Sequence, residues 1–339
     1  MKVVERPSLK GLNSLGLPAT AKLLIRIECE EDLLSLPPFD PARDLVLGAG
    51  SNVVLARDVP GTVYLNRIRG REIVDQTRDH ALVEVGAGEN WHGLVRWSLE
   101  CGLSGLENLS LIPGLAGAAP IQNIGAYGVE LSNVLERVSA WDWQRSRWVS
   151  LDLQQCRLGY RDSLFKSLSP DRYLITSIRL KLDQDFVPQL GYAGLQQELT
   201  AMGISRPSAL DVSDAVCRLR RRKLPDPAVT GNAGSFFKNP LLATERATNL
   251  QERHPGLPSW SNGDGRVKVS AAWMIERCGL KGRTHGDAAV SEQHALVLIN
   301  RGAATGADIV KLARQVQEAV AERFGVDLEI EPKVVDLEA

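Results

Sequence analysis

The sequence predicts an α+β protein of two or three domains, and three observations carry that expectation. The chain has 339 residues, more than a single hydrophobic core ordinarily organises. Its first half is dominated by short period-two runs bounded by turn residues, which read as strands. Its last third shifts to apolar residues at helical spacing and then returns to period two.

Taken in order, strands are expected at 22–27, 44–47, 53–56 and 62–65, and a further β-rich run at 81–85. Trp91, Leu94, Val95 and Leu99 then fall on one face of a helix over 91–101, stopped by Gly102. Strands at 134–143 and 173–182 should pair, the second with Leu174, Thr176, Ile178, Leu180 and Leu182 on one side. Residues 183–207 lack periodicity and carry prolines towards both ends, as a domain crossing with an inserted loop would. Helices follow at 211–222, at 270–278 ending on Gly279, and at 306–324 ending on Gly325. The last sets Ile309, Leu312, Ala313, Val316, Val320 and Phe324 in a core stripe. A buried strand is expected at 294–300, and after Gly325 a period-two segment turns Val326, Leu328 and Ile330 away from Asp327, Glu329 and Glu331. The expected domains are 1–65 completed by 313–339, then 66–207, then 208–312.

Composition narrows the function classes. Hydrophobic residues make up 44% and charged residues 24%, which excludes a disordered chain. Forty basic and forty-one acidic residues give a net charge of -1, so no global field favours nucleic acid or an anionic membrane. A charged ligand must be held locally. Cys29, Cys101, Cys156, Cys217 and Cys278 are scattered singly and the five histidines form no ligand motif, so reduced thiols and no bound metal are expected. No secretory leader or membrane-length apolar run is visible, and a cytoplasmic monomer is expected.

Two glycine turns follow strands: Gly48-Ala49-Gly50-Ser51-Asn52 and Gly86-Ala87-Gly88-Glu89-Asn90. Neither completes G-x-G-x-x-G, because Val53 and Trp91 stand where the third glycine would be, and turn chemistry alone favours hairpin turns. The segment from Ile112 to Gly128 is more distinctive. Its four glycines and four alanines leave the backbone bare, while Gln122 and Asn123 bring uncharged amides. Such a segment suits close approach to a flat ring or a pyrophosphate, and a tight packing turn is the plain alternative.

Together these segments resemble the FAD-binding domain of the vanillyl-alcohol-oxidase type, and I-P-G-x-x-G-A-A-P-I-Q-N-I-G-A-Y-G is similar to the wording of UDP-N-acetylenolpyruvoylglucosamine reductases. The resemblance runs from about Asn13 to Val334 and departs at Leu115 and Ala116, where the family has a small hydroxylated and then a β-branched residue. It implies two α/β FAD-binding subdomains and a C-terminal α+β substrate domain. It also implies FAD held non-covalently near Gly48, Gly50, Ser51, Asn52, Pro113, Gly114, Gly117, Gln122, Asn123, Gly125 and Ala126. The implied substrates are NADPH and UDP-N-acetylglucosamine enolpyruvate.

Reducing an enolpyruvyl ether requires a fixed cation for the carboxylate, a second group facing that carboxylate, and a proton donor to carbon. By resemblance, Arg161 in Gly-Tyr-Arg-Asp-Ser and Glu331 in Glu-Pro stabilise the enolate, and Ser235 in Gly-Ser-Phe-Phe-Lys-Asn-Pro donates the proton. Lys223 of R-x-x-K-L-P-D-P and Asn239 are carried over as substrate contacts, and Tyr192 in the crossing loop and His294 join them, with a tyrosine anchoring its own loop and a hydrogen-bonded structural histidine as the plain alternatives. Without the resemblance, Arg161 and Glu331 would read as solvated charges, Ser235 as a turn serine, and 218–223 as a basic helix end.

Overall fold

The computed structural model describes residues 2–192 and 194–337. Its first sheet orders the strands Lys2–Glu5, Ala21–Ile27, Val59–Asn66 and Leu45–Leu47, the last three parallel. The second is antiparallel, in the order Arg147–Asp152, Leu135–Asp142, Tyr173–Asp183, His80–Gly86 and Arg71–Gln76. Ile178, Leu180 and Leu182 face one core as the alternation predicts, but a bulge at Thr176 breaks the period, so that Ile175 joins them and Leu174 packs instead with Ile25, Tyr64 and Trp141. A core of Val83, Val85, Leu94, Val138, Ile178 and Leu180 joins this sheet to the helix Trp91–Glu100. Asn90 caps that helix by accepting from the Gly93 amide, and Gly102 follows its end at φ +77.

The C-terminal region holds an antiparallel sheet of Gly231–Ser235, Val297–Asn300, Ala288–Val290 and Thr284–His285, and a smaller one of Leu241–Ala243, Arg266–Val269 and Ser259–Ser261. The helix Gly306–Phe324 closes their core, and its buried stripe is the one read from the spacing. Each fully buried Ile, Leu, Val or Phe there is worth about 1.5–3 kcal/mol relative to exposure. Thr305 and Asp308 form a reciprocal capping box at its start.

Several expectations need correction. The crossing at 183–207 contains the helix Leu195–Ala201, whose two buried leucines, Leu195 and Leu199, are too few to make a period visible. The helix Thr244–Arg253 went unread for the same reason, since only Ala247 and Leu250 are buried. Residues 326–331 bury Val326 and Leu328 as expected but form no regular strand, making an isolated bridge from Ile330 to Phe237 instead. The run 218–223 is not wholly solvated, because Arg220 turns inward and donates to the Leu111 carbonyl at 3.2 Å.

Packing cuts across the sequence boundaries. The helix Ala209–Lys223 lies against the second unit, where Arg96 bonds Asp214 at 2.7 Å and the Ser110 and Ser213 hydroxyls meet at 2.7 Å. The helix Gly306–Phe324 packs in the C-terminal core, which Leu15, Leu17 and Val54 of the first unit also enter, and the strand Lys333–Val335 pairs in parallel with Val53–Leu55.

Candidate active site

Arg161 sits at the tip of a tight turn. The amide of Gly159 donates to the Asp162 carbonyl at 3.0 Å and that of Asp162 to Gly159 at 3.2 Å, leaving Tyr160 and Arg161 at the corner. Arg161 adopts φ +53, the left-handed region that non-glycine residues rarely occupy. The conformation is offset by the contacts it permits: Nη2 donates to the Gly125 carbonyl at 2.7 Å, and Nε lies 3.1 Å from Glu331 Oε1. The side chains are only 19% and 11% exposed, so the solvated-charge alternative fails for both.

Glu331 reaches this position through its backbone. Its amide donates to the Phe236 carbonyl at 2.9 Å, the Lys238 amide to Glu329 at 2.9 Å, and Lys166 Nζ to the Glu331 carbonyl at 3.1 Å. Those bonds tie it to the residue after Ser235, which ends the strand Gly231–Ser235 half-buried and paired with Val297. Burial pushes the Glu331 carboxyl pKa up, while Arg161, Lys166 and Lys238 pull against that shift.

Tyr160 lies beneath Arg161, with the guanidinium 5.5 Å from its ring centroid and Lys268 Nζ 4.8 Å from it. Asn239 lowers the Tyr160 pKa against the rise that burial causes, and accepts from the Ala271 amide at 3.0 Å, so this candidate also caps the helix Ala271–Arg277. Lys268 is half-buried, and burial with the nearby Arg161 lowers its pKa.

Lys223 ends the helix Ala209–Lys223, its ammonium 5.8 Å from the Tyr192 ring. Tyr192 is 41% exposed and meets Tyr127 edge-on at 4.8 Å. His294 accepts at Nδ1 from the Leu296 amide at 3.2 Å, which leaves the proton of the neutral ring on Nε2. Burial, then Lys223 and Lys281, lower its pKa, favouring that neutral form. His294 therefore has a structural bond at one nitrogen and a donor at the other.

The glycine segments form a seam. Ser51 Oγ donates to the Pro113 carbonyl at 3.2 Å and Asn52 Nδ2 to Gln122 Oε1 at 2.6 Å. Gly114 lies at φ +127, where a Cβ would stand 2.9 Å from Ser51 Oγ, and Leu115 packs across Gly48. A Cβ on Gly125 would stand 3.1 Å from Arg161 Nη1. Asn123 spends its side chain on protein: Nδ2 donates to Glu130 Oε2 at 2.8 Å and to the Gly159 carbonyl at 3.1 Å, fixing the Arg161 turn. The turn at 86–90 is likewise absorbed by packing, with the Gly117 amide donating to Ala87 at 2.9 Å and that of Ala116 to Glu89 at 2.8 Å. Burial lowers the pKa of Arg220, and among the described residues no carboxylate pairs with it. Bare loops, neutral amides and an uncompensated buried guanidinium suit a flat ring with a diphosphate tail.

Residues 226–335 match the family model of the UDP-N-acetylenolpyruvoylglucosamine reductase C-terminal domain, and residues 40–151 match an FAD binding domain. The reductase of that name from Xanthomonas campestris pv. campestris (strain 8004) is 49% identical over 338 residues, covering 98% of this chain and 96% of that one. The chain belongs to the UDP-N-acetylenolpyruvoylglucosamine reductase family. The corresponding protein of Xanthomonas axonopodis pv. citri (strain 306) is 48% identical over 335 residues, with 98% and 95% coverage. The crystal structure of the Thermus caldophilus reductase matches 99% of this chain and 100% of that one, with TM-score 0.68 and 29% identity. The expected combination of an FAD-binding fold with an α+β C-terminal domain is thus the fold of this reductase family. Four site residues escaped the sequence reading: Tyr160, Lys166, Arg220 and Lys268. Tyr160 adjoins Arg161 and was within reach. Lys166, Arg220 and Lys268 carried no signal, since nothing in a strand or helix pattern marks which charge turns inward.

Proposed function

We propose that the protein reduces UDP-N-acetylglucosamine enolpyruvate to UDP-N-acetylmuramate for peptidoglycan precursor synthesis, using FAD and NADPH, as a cytoplasmic monomer. The Arg161–Glu331 pair, at 3.1 Å and largely shielded from water beside the Ser235 strand, is the observation that carries this reading. Bound FAD would supply the chemistry of hydride transfer, from NADPH to the terminal carbon of the enolpyruvyl alkene.

The protein handles the charge that results. Arg161 holds the substrate carboxylate as it becomes enolate-like, and Glu331, its pKa raised by burial, shares a proton with that carboxylate. Ser235 gives its hydroxyl proton to the adjacent carbon, completing addition of one hydride and one proton across the double bond. Lys223 suits the diphosphate, Asn239 and the Nε2–H of His294 the sugar nucleotide, and Tyr192 closes over it. Gly48, Gly50, Ser51, Asn52, Pro113, Gly114, Gly117, Gln122, Asn123, Gly125 and Ala126 would hold FAD, with Arg220 as an inward cation. The partition into 1–65 with 313–339, 66–207 and 208–312 is proposed with it; the pairing of Lys333–Val335 with Val53–Leu55 supports its first unit.

Ser235→Ala tests the chemistry. The NADPH half-reaction needs no serine proton and should keep its rate, whereas reoxidation of reduced FAD by substrate should slow by about 10²- to 10⁴-fold. Rapid-mixing flavin absorbance separates the two, and cysteine at the same position should recover part of the rate. Equal slowing of both halves, or of neither, would remove Ser235 as the donor.

A further inference from the structure

Residues 185–192 form an irregular stretch that ends at Tyr192. Phe186 and Leu190 pack partly onto a small core with Tyr127, Leu195 and Leu219. Among the described residues, the backbone of 185–191 makes a single hydrogen bond, to Asn108: Nδ2 donates to the Gln189 carbonyl at 2.8 Å. The same Nδ2 donates to the Tyr127 carbonyl, also at 2.8 Å.

Tyr127 is itself unusual. It holds φ +50 in the turn after Gly125–Ala126, and its ring carries Tyr192 edge-on. Asn108 therefore joins the backbones beneath both contacting rings, one in the glycine-rich segment and one three residues before Tyr192. Asn108 is 0% exposed in the turn Glu107–Leu109, which Trp91 anchors by donating from Nε1 to the Leu109 carbonyl at 3.0 Å. Its Oδ1 is buried without a partner. Turning the amide over would not help, because the oxygen would then face two carbonyls. An apolar side chain of this size would avoid the orphaned oxygen, so the residue's use lies in the two donated bonds.

We infer that Asn108 is a positioning residue for substrate binding: it clasps the 185–192 loop to the flavin-side turn and sets Tyr192 over the cleft beside Lys223. The inference rests on the substrate role proposed above for Tyr192. Asn108 touches neither reacting atoms nor the Arg161–Glu331 pair, so the expected signature is in KM and not in kcat.

The test uses the FAD-loaded full-length protein with Asn108→Leu, which removes both donors, and Asn108→Asp, which keeps the shape. Either variant should raise KM for the sugar nucleotide about tenfold or more, the loss expected for two hydrogen bonds, with kcat within about twofold. Tyr192→Ala should raise KM comparably, and combining it with Asn108→Leu should add nothing further, because both act through one loop. Independent, additive effects would overturn the inference, as would a normal KM in Asn108→Leu where Tyr192→Ala is impaired. If neither Asn108 variant retains flavin, the residue belongs to the fold and the inference fails. If Tyr192→Ala leaves KM unchanged, the substrate role of Tyr192 itself falls, a separate result that removes the foundation of this one.

Discussion

Arg161 combines three demands that only a guanidinium meets: it bonds a carbonyl, faces a carboxylate and lies on an aromatic ring from one strained backbone position. Lysine at 161 would keep the charge but could satisfy only one direction at a time. Arg161→Lys should therefore retain flavin and its reduction by NADPH, while kcat for the substrate half falls by about 10²- to 10³-fold, as when an oxyanion donor is lost. A kcat near wild type would mean the carboxylate is held elsewhere. At this scale the sequence was informative only where residues stood in a known string. Arg161, Ser235 and Glu331 were proposed that way, but the 170 positions between Arg161 and Glu331 hid their pairing. Lys268 and Arg220 were invisible because their roles depend on the direction of a side chain, which spacing does not encode.

Elements with long periods were legible, and short ones were not. The helix Gly306–Phe324 was read to the residue because six apolar positions and a terminal glycine at φ +66 all agree. Leu195–Ala201 and Thr244–Arg253 offered two buried apolar positions each, below what a 3.6-residue period needs to show itself. The glycine turn at 48–52 was legible as a turn but not as a structural pin. Gly50 lies at φ +63, and a Cβ there would overlap the Leu12 carbonyl and stand 2.7 Å from Asn13 Cα. Asn13 cannot yield readily, since its buried amide bonds Leu9, Leu17 and the Leu17 amide at 2.9, 3.1 and 2.9 Å. Gly50→Ala should cost about 1–2 kcal/mol from backbone conformation alone, with more from the displaced segment. The expected outcome is a lower Tm together with less flavin absorbance per chain, and normal values of both would show that the turn is not needed as drawn.

Across the whole molecule, the net charge of -1 conceals a strongly cationic centre, and Glu331 is where the pieces of the chain meet. The extended segment before it runs beside Phe236 and Lys238, the strand after it joins Val53–Leu55, and Lys166 arrives from the antiparallel-sheet unit to bond its carbonyl. Assembly of the fold thus sets the protonation of one carboxyl. Burial raises the Glu331 pKa, and Lys166 is one of three cations that lower it again. Replacing Lys166 by methionine, close in length and apolar, removes that opposing charge, so the carboxyl should hold its proton to higher pH. If protonated Glu331 is the form that serves the substrate carboxylate, activity declines as pH rises through its pKa. The alkaline limb of the substrate half-reaction should then move to higher pH in Lys166→Met, while the NADPH half-reaction keeps its profile. A limb that stays in place or moves to lower pH would show that the ionised carboxylate is the working form, and that Lys166 serves only to hold the backbone.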